Sequence, residues 1–237
     1  YRAFSFSFSI FLYLIFKYRN DVLKKIIEIR IYGLLGGIVL SASNICFILS
    51  MTSTTVANTV FTISLIPFLT AFFSFLILKE KIAKITIFTM LLAFGGVLIM
   101  FYGVLLIGAL WGNILALFAA ICFSIFTIIL RRNKNIDMLP CLLISGIIAM
   151  ALSLFQKMGS LQISSNDFFL CFILGAVLSG FVNCCFVFAT RHLIAAEVTL
   201  FFFIEIALSP FWVWLFLNEY TTFNTLIGGI IILISIL

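Results

Sequence analysis

Apolar runs long enough to cross a bilayer constrain this chain more than anything else in it. An α-helix of about 20 apolar residues spans roughly 30 Å of hydrocarbon. Nine such runs are read along the sequence, at 1–16, 31–52, 55–78, 85–105, 109–130, 138–156, 168–190, 194–217 and 222–237. One water-soluble core cannot bury them. Of the 237 residues, 65% are hydrophobic and 9% charged, against about 25% charged in a soluble domain. The expected fold is all-α, a polytopic membrane helix bundle whose short connectors hold the helices in one compact transmembrane body.

The net charge of +6 does not mark a nucleic-acid interface, because the basic residues sit between apolar runs instead of gathering on one face. Sorted by alternating side, Lys17, Arg19, Lys24, Lys25, Arg30, Lys79, Lys81, Lys84, Arg131, Arg132, Lys134 and Arg191 share one side, and only Arg2 and Lys157 fall on the other. Cytoplasmic loops carry the excess of Lys and Arg. The expected topology is therefore multi-pass in the inner (plasma) membrane, with the first residue outside and the C-terminus cytoplasmic. Six cysteines lie inside apolar runs with no CxxC spacing, and the chain has one histidine. That pattern suits small packing residues and gives no metal or cofactor site.

Offset by 139 residues, the sequence matches itself without a gap. Leu35-Gly36 falls on Leu174-Gly175, and Asn44-x-Cys46-Phe47 on Asn183-x-Cys185-Phe186. Leu78-x-Glu80 falls on Leu217-x-Glu219 and Thr86 on Thr225. The offset crosses an odd number of spans, so the second copy is inverted relative to the first. Two inverted five-helix repeats are expected, over 1–105 and 109–237, a plan that recurs in secondary transporters with the solute site between the copies. The span at 109–130 has no partner in the first copy, and the last span is slightly short. Nine helices of an expected ten are therefore read, with an N-terminal helix of the first repeat missing.

Several segments resemble the EamA type of the drug/metabolite transporter (DMT) superfamily. They include Phe47 to Ala57, Ile66-Pro67-Phe68, Leu78-Lys79-Glu80 and Gly95-Gly96-Val97 in the first copy. The second copy adds Phe188-Ala189, Arg191-His192, Ala195-Ala196-Glu197-Val198, Ile204-Glu205, Pro210 to Trp214 and Asn218-Glu219, with Trp111-Gly112 and Arg131-Arg132 bounding the span between. The resemblance covers essentially the whole chain. It implies a permease that exports or exchanges amino acids and related small metabolites. It also implies a glycine before each of Glu80 and Glu219, where this sequence has Lys79 and Asn218. A proline is implied directly after the intramembrane glutamate, where it has Ile206, with Pro210 a turn later.

Glu205 is the foremost candidate for solute binding or coupling. An ionisable side chain near the centre of a span costs about 2.5–3.5 kcal/mol on insertion scales, so it normally faces a cavity or a partner. There it could hold a solute ammonium group or carry a coupling proton; the structural alternative is a protonated carboxyl bonded between helices. Fourteen residues separate Arg2 from Lys17, and Arg2 could meet a solute carboxylate or snorkel at the interface. Asn44 and Asn183, related by the repeat, could line the pathway or bond between helices. Trp212 and its neighbour Trp214 are candidate cavity walls or belt aromatics. Pro67 and Pro210 are candidate kinks. Glu80 and Glu219, at span ends, suit structural roles, as do His192 and the close-packing spacings Gly33-x-x-x-Gly37 and Gly108-x-x-x-Gly112.

No nucleotide-binding loop, Ser/His pair, aspartate pair or HExxH is present, so neither an ATP-driven pump nor an enzyme is indicated. The expected partners are a small-molecule substrate, the lipid bilayer and a candidate coupling proton, with a homodimer as one candidate assembly. The alternatives weighed are a membrane-embedded enzyme or a non-transporting bundle. Among transporters, a nucleotide-sugar or organic-cation/drug carrier is the alternative.

Overall fold

Inside a bilayer no water satisfies the peptide groups, so an apolar segment that crosses it closes its own hydrogen bonds as a helix. The computed structural model describes residues 1–102, 110–156, 164–217 and 223–236, and nearly all of them are helical. In chain order the elements are α1 (Arg2–Tyr18), a 3-10 turn leading to α2 (Val22–Glu28), and α3 (Arg30–Ser53). Then come α4 (Val56–Ile63), α5 (Ile66–Phe73), α6 (Lys84–Met100), α7 (Leu110–Arg132) and α8 (Leu139–Gln156). The last are α9 (Ser165–Phe172), α10 (Gly180–His192), α11 (Ala195–Leu217) and α12 (Phe223–Ile236). All nine expected spans fall on helical segments among the described residues. The chain is a helical membrane bundle, and among the described residues four helical spans are long and apolar enough to cross on their own.

Two spans are interrupted. The 55–78 span breaks at Ser64–Leu65, and Pro67 takes the second position of α5, where its missing N–H costs nothing. Thr55 starts α4 by accepting the Asn58 amide at 3.2 Å. Wide π turns follow at Ser74–Leu78, after α5, and at Ile173–Ser179, joining α9 to α10.

The helices gather into two compact units, and the division cuts across the sequence repeats. The first unit holds Tyr1–Ile45 and Ile129–Leu193; the second holds Cys46–Ile128 and Ile194–Leu237. In the first, α1 packs along α8 and the π turn of 173–179. Its serines make this possible, because Ser5, Ser7 and Ser9 are narrow and return their hydroxyls to the carbonyls of Tyr1, Ala3 and Phe6. Glycines face them: a methyl on Gly180 would sit 2.7 Å from Ser9 Oγ, and Gly146 and Gly175 abut Ser7 and Arg2. Ser7 meets α8 at Gly146 while Lys17, ten residues on, reaches Asp137 just ahead of α8. The two helices are therefore antiparallel.

The second unit is built around Ala93, Val97 and Met100 of α6, Phe203 and Ile206 of α11, and Ile232 of α12. Phe68 packs edge to face on Phe94 and on Phe203, the latter at 6.5 Å between ring centres, and Phe61 tilts against Phe94. α6 and α12 touch backbone to backbone. A methyl on Gly96 would lie 2.8 Å from the Gly228 carbonyl oxygen and 2.8 Å from the Ile232 side chain, while Gly228 abuts Met100. Residues advance along one helix as they retreat along the other, so this pair is antiparallel too.

Candidate functional site

In the second unit the two sides of α11 differ. Phe203 and Ile206 turn inward, whereas Phe201, Glu205, Leu208 and Trp212 form an exposed stripe at four-, three- and four-residue steps. With Ile204 and Ser209 they line a shallow pocket of about 520 Å³ along this helix. In the 139-residue register Glu205 stands where the first copy has Ile66. Ile66 is 3% exposed, and its carbonyl accepts from Ser124 of α7 at 3.3 Å. The equivalent place in the second copy thus carries an uncovered carboxylate, and in the first copy it adjoins the break between α4 and α5. Trp212 is 50% exposed and stacks edge to face on Phe211 at 5.5 Å. Pro210 lies within α11, its side chain outside the described residues, and Glu219 and Gly108 also lie outside them.

The other candidates belong to the first unit. Arg2 is half-buried at the start of α1, its backbone against Gly175. Asn44 and Asn183 behave as a matched pair: each is half-buried, and each amide donates to the carbonyl four residues back, Leu40 at 3.1 Å and Ser179 at 2.9 Å. That bond occupies one donor of each amide and leaves its carbonyl oxygen directed elsewhere. Arg2, Asn44 and Asn183 therefore share one unit and Glu205 and Trp212 the other. Glu80 accepts from Ser74 at 2.7 Å and ties off the π turn after α5, a structural use.

One cluster went unremarked in the sequence. Asp137, in the connector before α8, has a side chain only 13% exposed and accepts from Lys17 at 2.7 Å, Arg191 at 2.5 Å and the Leu139 amide at 3.2 Å. The Tyr18 hydroxyl also donates to it. Burial alone would raise its pKa, but the Lys17 and Tyr18 bonds, the Leu139 amide and the Arg191 charge outweigh it and hold the carboxyl below the usual aspartate range. Arg131 adds bonds to the carbonyls of Thr190 and Arg191, and Arg191 reaches the Ile136 carbonyl at 3.2 Å. Ends of α1, α7, α8 and α10 are thereby fastened together. The local signal was an acid in a basic connector, two residues before a helix with Pro140 in its first turn.

The geometry can be set against known proteins. The family model for the EamA-like transporter family matches residues 2–102 and 110–237. A solved structure described only as "Crystal structure of protein" superimposes with a TM-score of 0.84 at 13% identity, covering 99% of this chain and 84% of that one. At that identity the likeness is one of fold. No curated protein matches the chain.

Proposed function

The chain belongs to the EamA-like transporter family, and on that premise we propose that it moves a small metabolite across the cytoplasmic membrane as a secondary transporter. The family is one of DMT-type membrane transporters, and the chain is a multi-pass helical membrane protein. In this reading the solute is an amino acid or a related compound, exported or exchanged by alternating access of two inverted repeats. The observation that carries it is Glu205, a carboxylate on an uncovered stripe of an apolar helix. Interrupted segments in transporter halves point to the binding site. The break at Ser64–Leu65 ahead of Pro67 falls, in the 139-residue register, on Phe203–Ile204 just before Glu205, where α11 itself runs unbroken. Glu205 would take the solute's ammonium group or carry a coupling proton. Trp212, on the same stripe, would supply an aromatic wall; Arg2, Asn44 and Asn183 are proposed as polar residues of the solute pathway within the first unit.

Counterflow of radiolabelled amino acids in proteoliposomes tests the reading, with nucleotide-sugar and organic-cation solutes in the same panel. Accumulation of at least one amino acid is expected. No counterflow of any solute would count against transport, and counterflow of cations alone would move the assignment to the drug carriers. Glu205→Gln should lower flux roughly tenfold or more, the equivalent of about 1.4 kcal/mol, and flatten its dependence on pH. Unchanged flux with an unchanged pH profile would remove Glu205 from the mechanism.

A further inference from the structure

The ion cluster of the first unit is not electrically closed. Two cations, Lys17 and Arg191, meet one carboxylate, Asp137, and their side chains remain 35% and 27% exposed. An ammonium carries three donors, of which the Asp137 bond uses one. The cluster ends a cavity of about 440 Å³ that runs between α1 and α10. Small side chains make its floor, Ser9 against Gly180 and then Cys184. Its rims are large and apolar: Tyr13, Phe181 and Phe188 are 44%, 71% and 63% exposed.

Aromatic rims this exposed are stable on a membrane span only against other apolar groups. A groove with apolar rims and a net positive end fits a molecule with an apolar chain and an anionic head. Basic pockets between spans at the end facing the positive-inside leaflet have this character. A zwitterionic headgroup would bring a cation of its own beside Lys17 and Arg191, so the charge of the cluster selects against it. We propose that the groove between α1 and α10 is a binding site for one anionic phospholipid, its phosphate on Lys17 and Arg191 and an acyl chain between Tyr13, Phe181 and Phe188. Bound there, the lipid neutralises the surplus charge and fills the groove, bracing α1 against α10. The site does not depend on the transport reading, and loss of that reading would leave it intact.

Native mass spectrometry of the purified full chain, equilibrated with equal phosphatidylglycerol and phosphatidylcholine, tests the proposal. One phosphatidylglycerol should be retained about tenfold over phosphatidylcholine, a gap of about 1.4 kcal/mol. Lys17→Gln should bring the two lipids close to parity, and Lys17→Arg should keep the preference. Because Lys17→Gln removes an ion pair and could unfold the unit, a second measurement leaves the cluster untouched. In a tryptophan-free background, Phe188→Trp fluorescence should be quenched more by brominated phosphatidylglycerol than by brominated phosphatidylcholine. Equal retention, equal quenching, or an unchanged preference in a folded Lys17→Gln protein would each overturn the site. So would thermal stabilisation by inorganic phosphate or glutamate that matches phosphatidylglycerol, since the groove would then take a small anion and not a lipid.

Discussion

Lys79 shows how far a single residue's backbone can diverge from what its side chain favours. It closes the π turn after α5 in the left-handed region, at φ 56° and ψ 26°, the position where the family resemblance implies glycine. An L-residue there costs about 1–2 kcal/mol, and glycine recovers most of that, less the entropy it loses on folding. Lys79→Gly should therefore raise stability by about 1 kcal/mol, visible as a higher melting temperature in detergent. Asp137 is the opposite case, a residue whose partners outweigh its burial and favour its ionised form. Asp137→Asn should cost about 1.5–3 kcal/mol, the worth of hydrogen bonds to a charged group. The sign of its pH dependence follows from its lowered pKa. The carboxylate's contribution is complete above the ordinary aspartate value near 3.9 and is lost as pH falls through the lower folded value. Acid melting curves should accordingly show wild type losing stability below about pH 4 faster than Asp137→Asn, until the two converge. Parallel curves would mean that the cluster contributes nothing.

Helix pairing turns on which glycine faces a neighbour. Gly95 and Gly96 are adjacent on α6, yet a methyl on Gly96 would collide with the α12 backbone while one on Gly95 meets nothing within 4 Å. Gly96→Val should force α6 from α12 at a cost of about 1–3 kcal/mol, typical of overpacking, and Gly95→Ala should be neutral or stabilising. Melting both variants in one detergent separates contact from propensity. Helical spans were legible in the sequence because length and apolarity alone decide them: the 31–52 run became Arg30–Ser53 and the 138–156 run Leu139–Gln156. The break at Ser64–Leu65 was not, since a single serine is common within a helical span and only Pro67 hints at it. Charged residues were sorted by side of the membrane, which treats Lys17 and Arg191 as topology markers. Their meeting on Asp137 joins positions 120 and 54 residues away along the chain, a separation no local pattern encodes. Of the candidate site, Glu205 and Trp212 were legible singly, by depth in an apolar run and by residue type, and the stripe that joins them to Phe201 and Leu208 came with the structure. The own-helix bonds of Asn44 and Asn183 could not, because an amide in a span serves a neighbour or its own backbone equally well.

At the scale of the whole molecule, direction is what an inverted duplication must explain. The 139-residue register equates α1 with α8 and α6 with α12. Each of these pairs lies inside one compact unit, and each is antiparallel. A tandem repeat of like orientation has no reason to place equivalent helices head to tail, whereas two copies inserted in opposite senses do so wherever equivalents touch. The first turns of α6 and α12 make the matter measurable. Ile85 is 70% exposed, and its register partner Asn224 is exposed as well. Lys79, Lys81 and Lys84 assign the first of these turns to the cytoplasm, and inversion then assigns the second to the outside. In a cysteine-free background, Ile85→Cys should react with a membrane-impermeant maleimide only from the cytoplasmic face of oriented vesicles, and Asn224→Cys only from the opposite face. Labelling of both from the same face would refute inverted insertion, and with it alternating access by two opposed copies. Opposite labelling with the sides exchanged would keep the inversion and reverse the topology read from the basic loops.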